Sequence, residues 1–152
     1  MSFVLSPSPA SAGQAVAHFA AKLSYETDVS DVHSDLEAGA PGLVVVDTRG
    51  PDAWAQGHVP GAMHLPTRQI PTRAAREIPA GVVVVTYCWG PGCNGSTKAA
   101  LAFAKLGYQV KEMIGGYEYW VRAGFPVRTP AGLRRREGDD LTVVPAGVTC
   151  DC

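Results

Sequence analysis

The run Val82-Val-Val-Val-Thr-Tyr87 puts apolar or β-branched side chains on both faces of any strand it forms. A strand with no polar face belongs in the middle of a parallel sheet that is covered on both sides. The loop Cys88-Trp-Gly-Pro-Gly-Cys-Asn-Gly95 follows, and then Ser96 opens a helical pattern whose inner face is Ala99, Ala100, Phe103 and Leu106, ended by Gly107. In sheets of this type ligands bind beyond the carboxyl ends of the strands, so Cys88 falls on the binding edge.

The rest of the chain agrees with an α/β reading. Residues 1–9 are rich in serine and proline and are expected to be a flexible N-terminus. Val16, Phe19, Ala20 and Leu23 recur at helical spacing and predict a first helix over 10–23. Asp28 or Ser30 caps a second, with Val29, Val32 and Leu36 on one face and Gly39 beyond its end. Leu43–Val46 is a short apolar strand ending at Asp47, and Pro51 starts a helix that stops at Gly57. Ala62–Leu65 reads as another short strand, and 67–78 as a broken amphipathic helix. Val110–Ile114 is the next strand; a helix carrying Tyr117 and Trp120 follows Gly115-Gly116 and ends at Gly124. Strands alternating with helices across short loops predict a mainly parallel sheet. Residues 131–152 form either a hairpin, Leu133–Glu137 with Leu141–Val144 around Gly138-Asp-Asp, or an extended tail.

With 152 residues the chain has room for one core, over about residues 10–130. A net charge of −1 offers no broad attraction to nucleic acid or to an anionic membrane. No stretch reaches the about 20 apolar residues needed to cross a bilayer. The opening MSFVLSPSPAS lacks the basic and apolar regions of an export signal, so a cytoplasmic location and four reduced cysteines are expected.

Three readings of the loop after Tyr87 compete with that of a cysteine merely packed at a strand end. Gly90, Gly92 and Gly95 let a row of amides turn inward at a helix start, which favours a bound anion or a thiolate on Cys88. Gly90-Pro-Gly-Cys-Asn-Gly95-Ser-Thr is also one residue short of a phosphate-binding P-loop, but Ser96 replaces the lysine that would hold the outer phosphates. As a metal site, Cys88 with Cys93 and Cys150 with Cys152 lack the spacing of zinc ribbons, and no metal is expected.

Two flanking stretches favour the thiolate. Asp47-Thr-Arg49-Gly-Pro-Asp-Ala-Trp54-Ala-Gln-Gly57-His58-Val-Pro60-Gly61-Ala62 resembles the first signature of rhodanese domains. Gly115-Gly-Tyr-Glu-Tyr-Trp120-Val-Arg-Ala-Gly124-Phe-Pro126 resembles the second, and Ser96-Thr-Lys-Ala-Ala100 is similar to the start of the helix after that family's active-site loop. The resemblance runs from Leu43 to Val127. It implies a three-layer fold, with a sheet of about five strands between helices.

It also implies sulfur transfer. Cys88 would attack the outer sulfur of a donor such as thiosulfate or a persulfide, hold it as a persulfide, and pass it to cyanide or a thiol, on a small molecule or a protein. No cofactor is implied, and the chain is expected to be a monomer or homodimer. The loop from Trp89 through Gly90, Pro91, Gly92, Cys93, Asn94 and Gly95 to Ser96 would bind the substrate, with its amides and the Ser96 hydroxyl on the anion and Trp89 as a roof. Asp47 and Arg49 would form a partly buried pair, His58 would donate a proton or be hydrogen-bonded within its turn, and Lys98 is the cation nearest the loop.

Two departures from the pattern bear on function. The interval from Cys88 to Ser96 is two residues longer than the resemblance leads one to expect, and no arginine ends the loop. A longer loop suits tetrahedral oxyanions, as in phosphatase or arsenate-reductase members, but the missing arginine works against them. Cys93 is the second departure: it resolves or relays sulfur, or makes the domain a redox or partner-binding module, or is a passive small residue at a turn.

Overall fold

The computed structural model describes residues 2–143. Val144, Cys150 and Cys152 lie outside the described residues. In chain order the elements are α1 (Ala12–Tyr25), β1 (Glu26–Thr27), α2 (Val29–Ala38), β2 (Leu43–Asp47), α3 (Pro51–Gln56) and β3 (Met63–His64). A 3-10 turn, Thr67–Gln69, leads into α4 (Ile70–Glu77); then come β4 (Val83–Tyr87), α5 (Gly95–Lys105), β5 (Gln109–Met113), α6 (Gly116–Arg122), β6 (Val127–Thr129) and β7 (Gly132–Arg134).

Strands one to five form one sheet in the order β1-β5-β4-β2-β3, and every pairing is parallel. The all-apolar run is indeed its central strand. Because side chains alternate across a strand, β4 feeds two cores. Val84 packs with Val46, Ile70, Ala74, Ala99 and Phe103 under α4 and α5. Val85 and Tyr87 pack with Val32, Val45, Val59 and Trp120 under α2 and α6. The Trp120 indole donates to the Pro126 carbonyl at 2.8 Å, which satisfies its one polar atom in the core.

Local rules set most boundaries. Ser11 and Gln14 form a reciprocal capping box at the start of α1. The Asp28 carboxylate accepts from the Asp31 amide to start α2, and Gly39 ends it in the left-handed region. Three expectations need correction. The apolar stripe of α1 is not buried: Val16, Phe19 and Leu23 are all exposed, and the Leu23 carbonyl accepts from Lys111 of β5. The edge strand, β1, has only two residues and carries no alternation to read. Leu106 is exposed at the end of α5, where the inner face is instead Ser96, Ala99 and Phe103. The terminal hairpin is β6 with β7, turning at Pro130-Ala131. The Gly138-Asp-Asp turn brings the chain back to α6, with Asp139 paired to Arg122 at 2.8 Å and its amide on the Arg122 carbonyl.

Candidate active site

β2 and β4 lie in register with Asp47 beside Tyr87, so the segments leaving these two strands start side by side. On the β2 side the structure builds an anchor. Arg49 grips Asp47 through Nε and Nη2, the latter at 2.6 Å, and Nη2 also reaches the Gly57 carbonyl at 2.7 Å. The Tyr87 hydroxyl donates to Asp47 at 2.6 Å and accepts from the Val59 amide at 3.1 Å. Asp47, Arg49 and Tyr87 are all buried. Burial, with Asp47 beside it, holds the Tyr87 phenol protonated well above its ordinary range.

The remaining Arg49 nitrogen, Nη1, is buried without a hydrogen-bond partner. The guanidinium faces aromatic rings instead, with Cζ 4.1 Å from the Tyr117 centroid and 4.6 Å from that of Trp89. Trp89 is thereby corrected from roof to clamp. It covers Arg49 and lines a separate cleft with Tyr117, Glu118 and Arg122, away from Cys88. The expected pair of Asp47 and Arg49 exists, but it is wholly rather than partly buried.

His58 belongs to the same scaffold. Its Nδ1 is 2.9 Å from the Trp54 carbonyl, and its ring stacks on Trp54 with centroids 3.3 Å apart. Burial holds its pKa below the ordinary value. It is hydrogen-bonded within its turn, the second of the two roles its motif allows.

The β4 side is different. Cys88 lies against the loop, and Cys93 folds back onto it with the two sulfurs 2.9 Å apart. Cys88 is the buried member and Cys93 is half-exposed. The Gly95 amide, at the entrance to α5, points at the Cys93 sulfur at 3.4 Å. A β-carbon on Gly95 would lie 2.6 Å from the Cys88 sulfur, so only glycine permits this approach. Gly116, at φ +60°, does the same for the backbone: a β-carbon there would stand 2.7 Å from the Cys88 carbonyl oxygen. The first amides of α6 hold the loop at that point, Tyr117 to the Cys88 carbonyl and Glu118 to that of Trp89. The Gly-Gly-x-x-x-Trp stretch thus clasps the cysteine loop from below while its tryptophan fills the core.

The amide cup is smaller than the sequence suggests. Pro91 has no amide, and the Cys93 amide is spent on the Gly90 carbonyl at 2.9 Å. The Ser96 hydroxyl is committed too. It donates to Glu112 at 2.7 Å, as does Thr97, so Ser96 does not cap α5 and its hydroxyl proton is already taken by a carboxylate. Lys98 is exposed and does not line the cleft.

Charge on the pair is divided contrary to expectation. Burial pushes the Cys88 thiol up to about 11, and the hydrogen bond to Cys93 adds to the rise; the Trp89 amide and Thr48 hydroxyl oppose it only in part. Cys93 is held below the ordinary thiol range, first by the hydrogen bond from Cys88, then by the Gly95 and Trp89 amides and the charge of Lys98. With Cys88 as the donor in the sulfur–sulfur contact, negative charge is favoured on Cys93 over Cys88.

Both sulfurs open into a cleft of about 640 Å³, bounded opposite by Glu112, Met113 and Gly115. Glu112 is the one charged side chain among the described residues that line it. Sequence reading missed this residue. Its signal was a carboxylate inside a short strand of a parallel sheet, where an apolar residue is the rule. Among the described residues no cluster of three or more His, Cys, Asp or Glu is placed to hold a metal, and no helix is long and apolar enough to cross a membrane.

The strand order and a loop of chemistry at the sheet's carboxyl edge define a three-layer α/β domain built around one reactive segment. Within that class the chain belongs to the rhodanese-like domain family, whose pattern matches residues 12–123. It is 36% identical over 104 residues to a sulfurtransferase of Allochromatium vinosum, covering 68% of this chain and 94% of that protein. It is likewise 36% identical over 93 residues to the thiosulfate sulfurtransferase GlpE of Pseudomonas aeruginosa, covering 60% of this chain and 80% of the relative. Among solved structures, the BH2092 protein of Bacillus halodurans superposes with a TM-score of 0.76 at 43% identity, over 80% of this chain and 89% of that one.

Proposed function

We propose that this protein is a sulfurtransferase that carries sulfane sulfur as a persulfide on Cys88, taking it from a thiol persulfide in preference to thiosulfate. The single observation that carries the choice of donor is Glu112. A dianion entering the cleft meets a carboxylate and no cation in its lining, Lys98 acts only from outside it, and Arg49 is locked to Asp47 behind two aromatic rings. A thiol persulfide brings one negative charge at most and docks by its organic part. The same electrostatics disfavour phosphate and arsenate, for which this site has no bidentate arginine.

The Cys88 role is supported by its place at the end of the central strand, by the clasp of α6 on its carbonyl, and by the family's sulfurtransferase-named members. Cys88 gives up its proton to solvent and attacks the donor's outer sulfur as the thiolate. The donor's S–S bond breaks and its thiol leaves. An acceptor thiol, on a small molecule or a protein, then removes the outer sulfur. Cofactor and metal play no part in this scheme.

The test is a comparison of donors on Cys93→Ser protein. A low-molecular-weight cysteine persulfide is expected to add about 32 Da, one sulfur atom, to the Cys88 peptide. Thiosulfate at equal concentration is expected to load it on the order of tenfold more slowly, a difference of about 1.4 kcal/mol. Equal or faster loading by thiosulfate would overturn the choice of donor, and loading at any other residue would overturn the role of Cys88.

A further inference from the structure

We propose that Cys93 is a second reacting residue, which attacks the Cys88 persulfide, closes a Cys88–Cys93 disulfide and expels hydrosulfide, so that the protein also works as a dithiol persulfide reductase. This rests on Cys88 being the sulfur carrier and goes beyond it, since a carrier alone would hold its sulfur until an outside acceptor arrived.

The geometry supplies each requirement. The two sulfurs are 2.9 Å apart, and a disulfide needs about 2.05 Å, so closure asks for a shift of under about 1 Å. Cys93 precedes α5, which begins at Gly95, so moving its side chain breaks no helical hydrogen bond. Gly92 and Gly95 flank it and leave the backbone free to adjust. Its sulfur accepts from the Gly95 amide at 3.4 Å, which holds it beside the Cys88 sulfur. Its thiolate is the more readily formed of the two, which suits a resolving nucleophile.

The atoms balance. In the first step the Cys88 sulfur bonds to the donor's outer sulfur, and the donor's S–S bond breaks to release its thiol. In the second, the Cys93 sulfur bonds to the Cys88 sulfur, the bond from Cys88 to the outer sulfur breaks, and hydrosulfide leaves with that electron pair. One persulfide and two protein thiols become one thiol, one hydrogen sulfide and one disulfide. The sulfane sulfur is reduced by two electrons that the cysteine pair supplies. An external dithiol restores the pair by exchange.

A single-turnover reaction of the reduced full chain with a low-molecular-weight cysteine persulfide tests this, with the Cys88→Ser/Cys93→Ser double variant as background. Wild type should release about one hydrosulfide per chain and lose about 2 Da, with Cys88 and Cys93 joined in the peptide map and restored by dithiothreitol. Cys93→Ser and Cys93→Ala, each checked for native near-ultraviolet circular dichroism, should instead retain about 32 Da on Cys88 and release no hydrosulfide. If wild type keeps the extra sulfur as the Cys93 variants do, Cys93 is idle and the inference falls while the sulfur-carrier reading stands. If neither wild type nor the variants take up sulfur, both fall together.

Discussion

Asp47 and Tyr87 lie side by side on β2 and β4, and the chain leaving each takes an opposite course. After β2 the buried Asp47, Arg49 and Tyr87 side chains are matched in all but one nitrogen: Arg49 binds Asp47 and the Gly57 carbonyl, Tyr87 closes the network, and aromatic rings cover the unmatched nitrogen. After β4 the groups face a cleft, and two thiols meet with nothing bonded between them. The cation that an oxyanion site would need is thus present in the molecule but built into its frame. One strand end has been given to stability and its neighbour to reactivity, and changes to each should read out differently.

The largest effect is expected on the anchor side. Arg49→Ala leaves Asp47 buried without its partner and should cost about 3–5 kcal/mol in urea unfolding. Arg49→Lys should recover little of this, because one ammonium cannot serve two Asp47 oxygens and a carbonyl at once. Unchanged stability in either variant would break the division between the two strand ends.

On the reactive side, Glu112→Gln should leave the unfolding midpoint nearly unmoved and raise the rate of loading from thiosulfate on the order of tenfold, about 1.4 kcal/mol. Loading from a thiol persulfide should change less than about twofold, on the order of 0.4 kcal/mol. If both donors respond alike, Glu112 acts through Ser96 and Thr97 and not through its charge.

A smaller and more diagnostic effect concerns the thiols. Iodoacetamide near neutral pH should label Cys93 before Cys88. In Cys93→Ser the labelling curve of Cys88 should move to lower pH, since the neighbour that raises it is gone. The smallest effect is expected at His58. Its pKa is lowered by folding, so the unfolded chain binds its proton more readily. Its contribution is present above the ordinary histidine pKa and is lost as pH falls through that value toward the folded one. His58→Gln should flatten this part of the stability curve.

Legibility followed the same division. The central strand, the Cys88 loop and the ion pair were readable because each depends on neighbours in sequence: an unbroken β-branched run, three glycines before a helix, and Asp47 and Arg49 two residues apart. What failed depends on contacts across the chain. Nothing local says that Ser96 turns to Glu112 on β5, or that Trp89 covers an arginine forty residues earlier. The stripe on α1 obeys helical period whether or not anything packs on it. Pro130 and Gly138 are both turn signals, and the choice between them was made by Arg122 drawing in Asp139.

The central claim is that sulfur resides on the cysteine ending the central strand. Peptide-resolved mass spectrometry of the Cys93→Ser and Cys88→Ser single variants, each treated with the same cysteine persulfide, addresses it most directly. The account predicts about one added sulfur in the first variant, located at Cys88, and none in the second. Sulfur found on Cys93 in the Cys88→Ser protein, with none on Cys88 in the other, would contradict it.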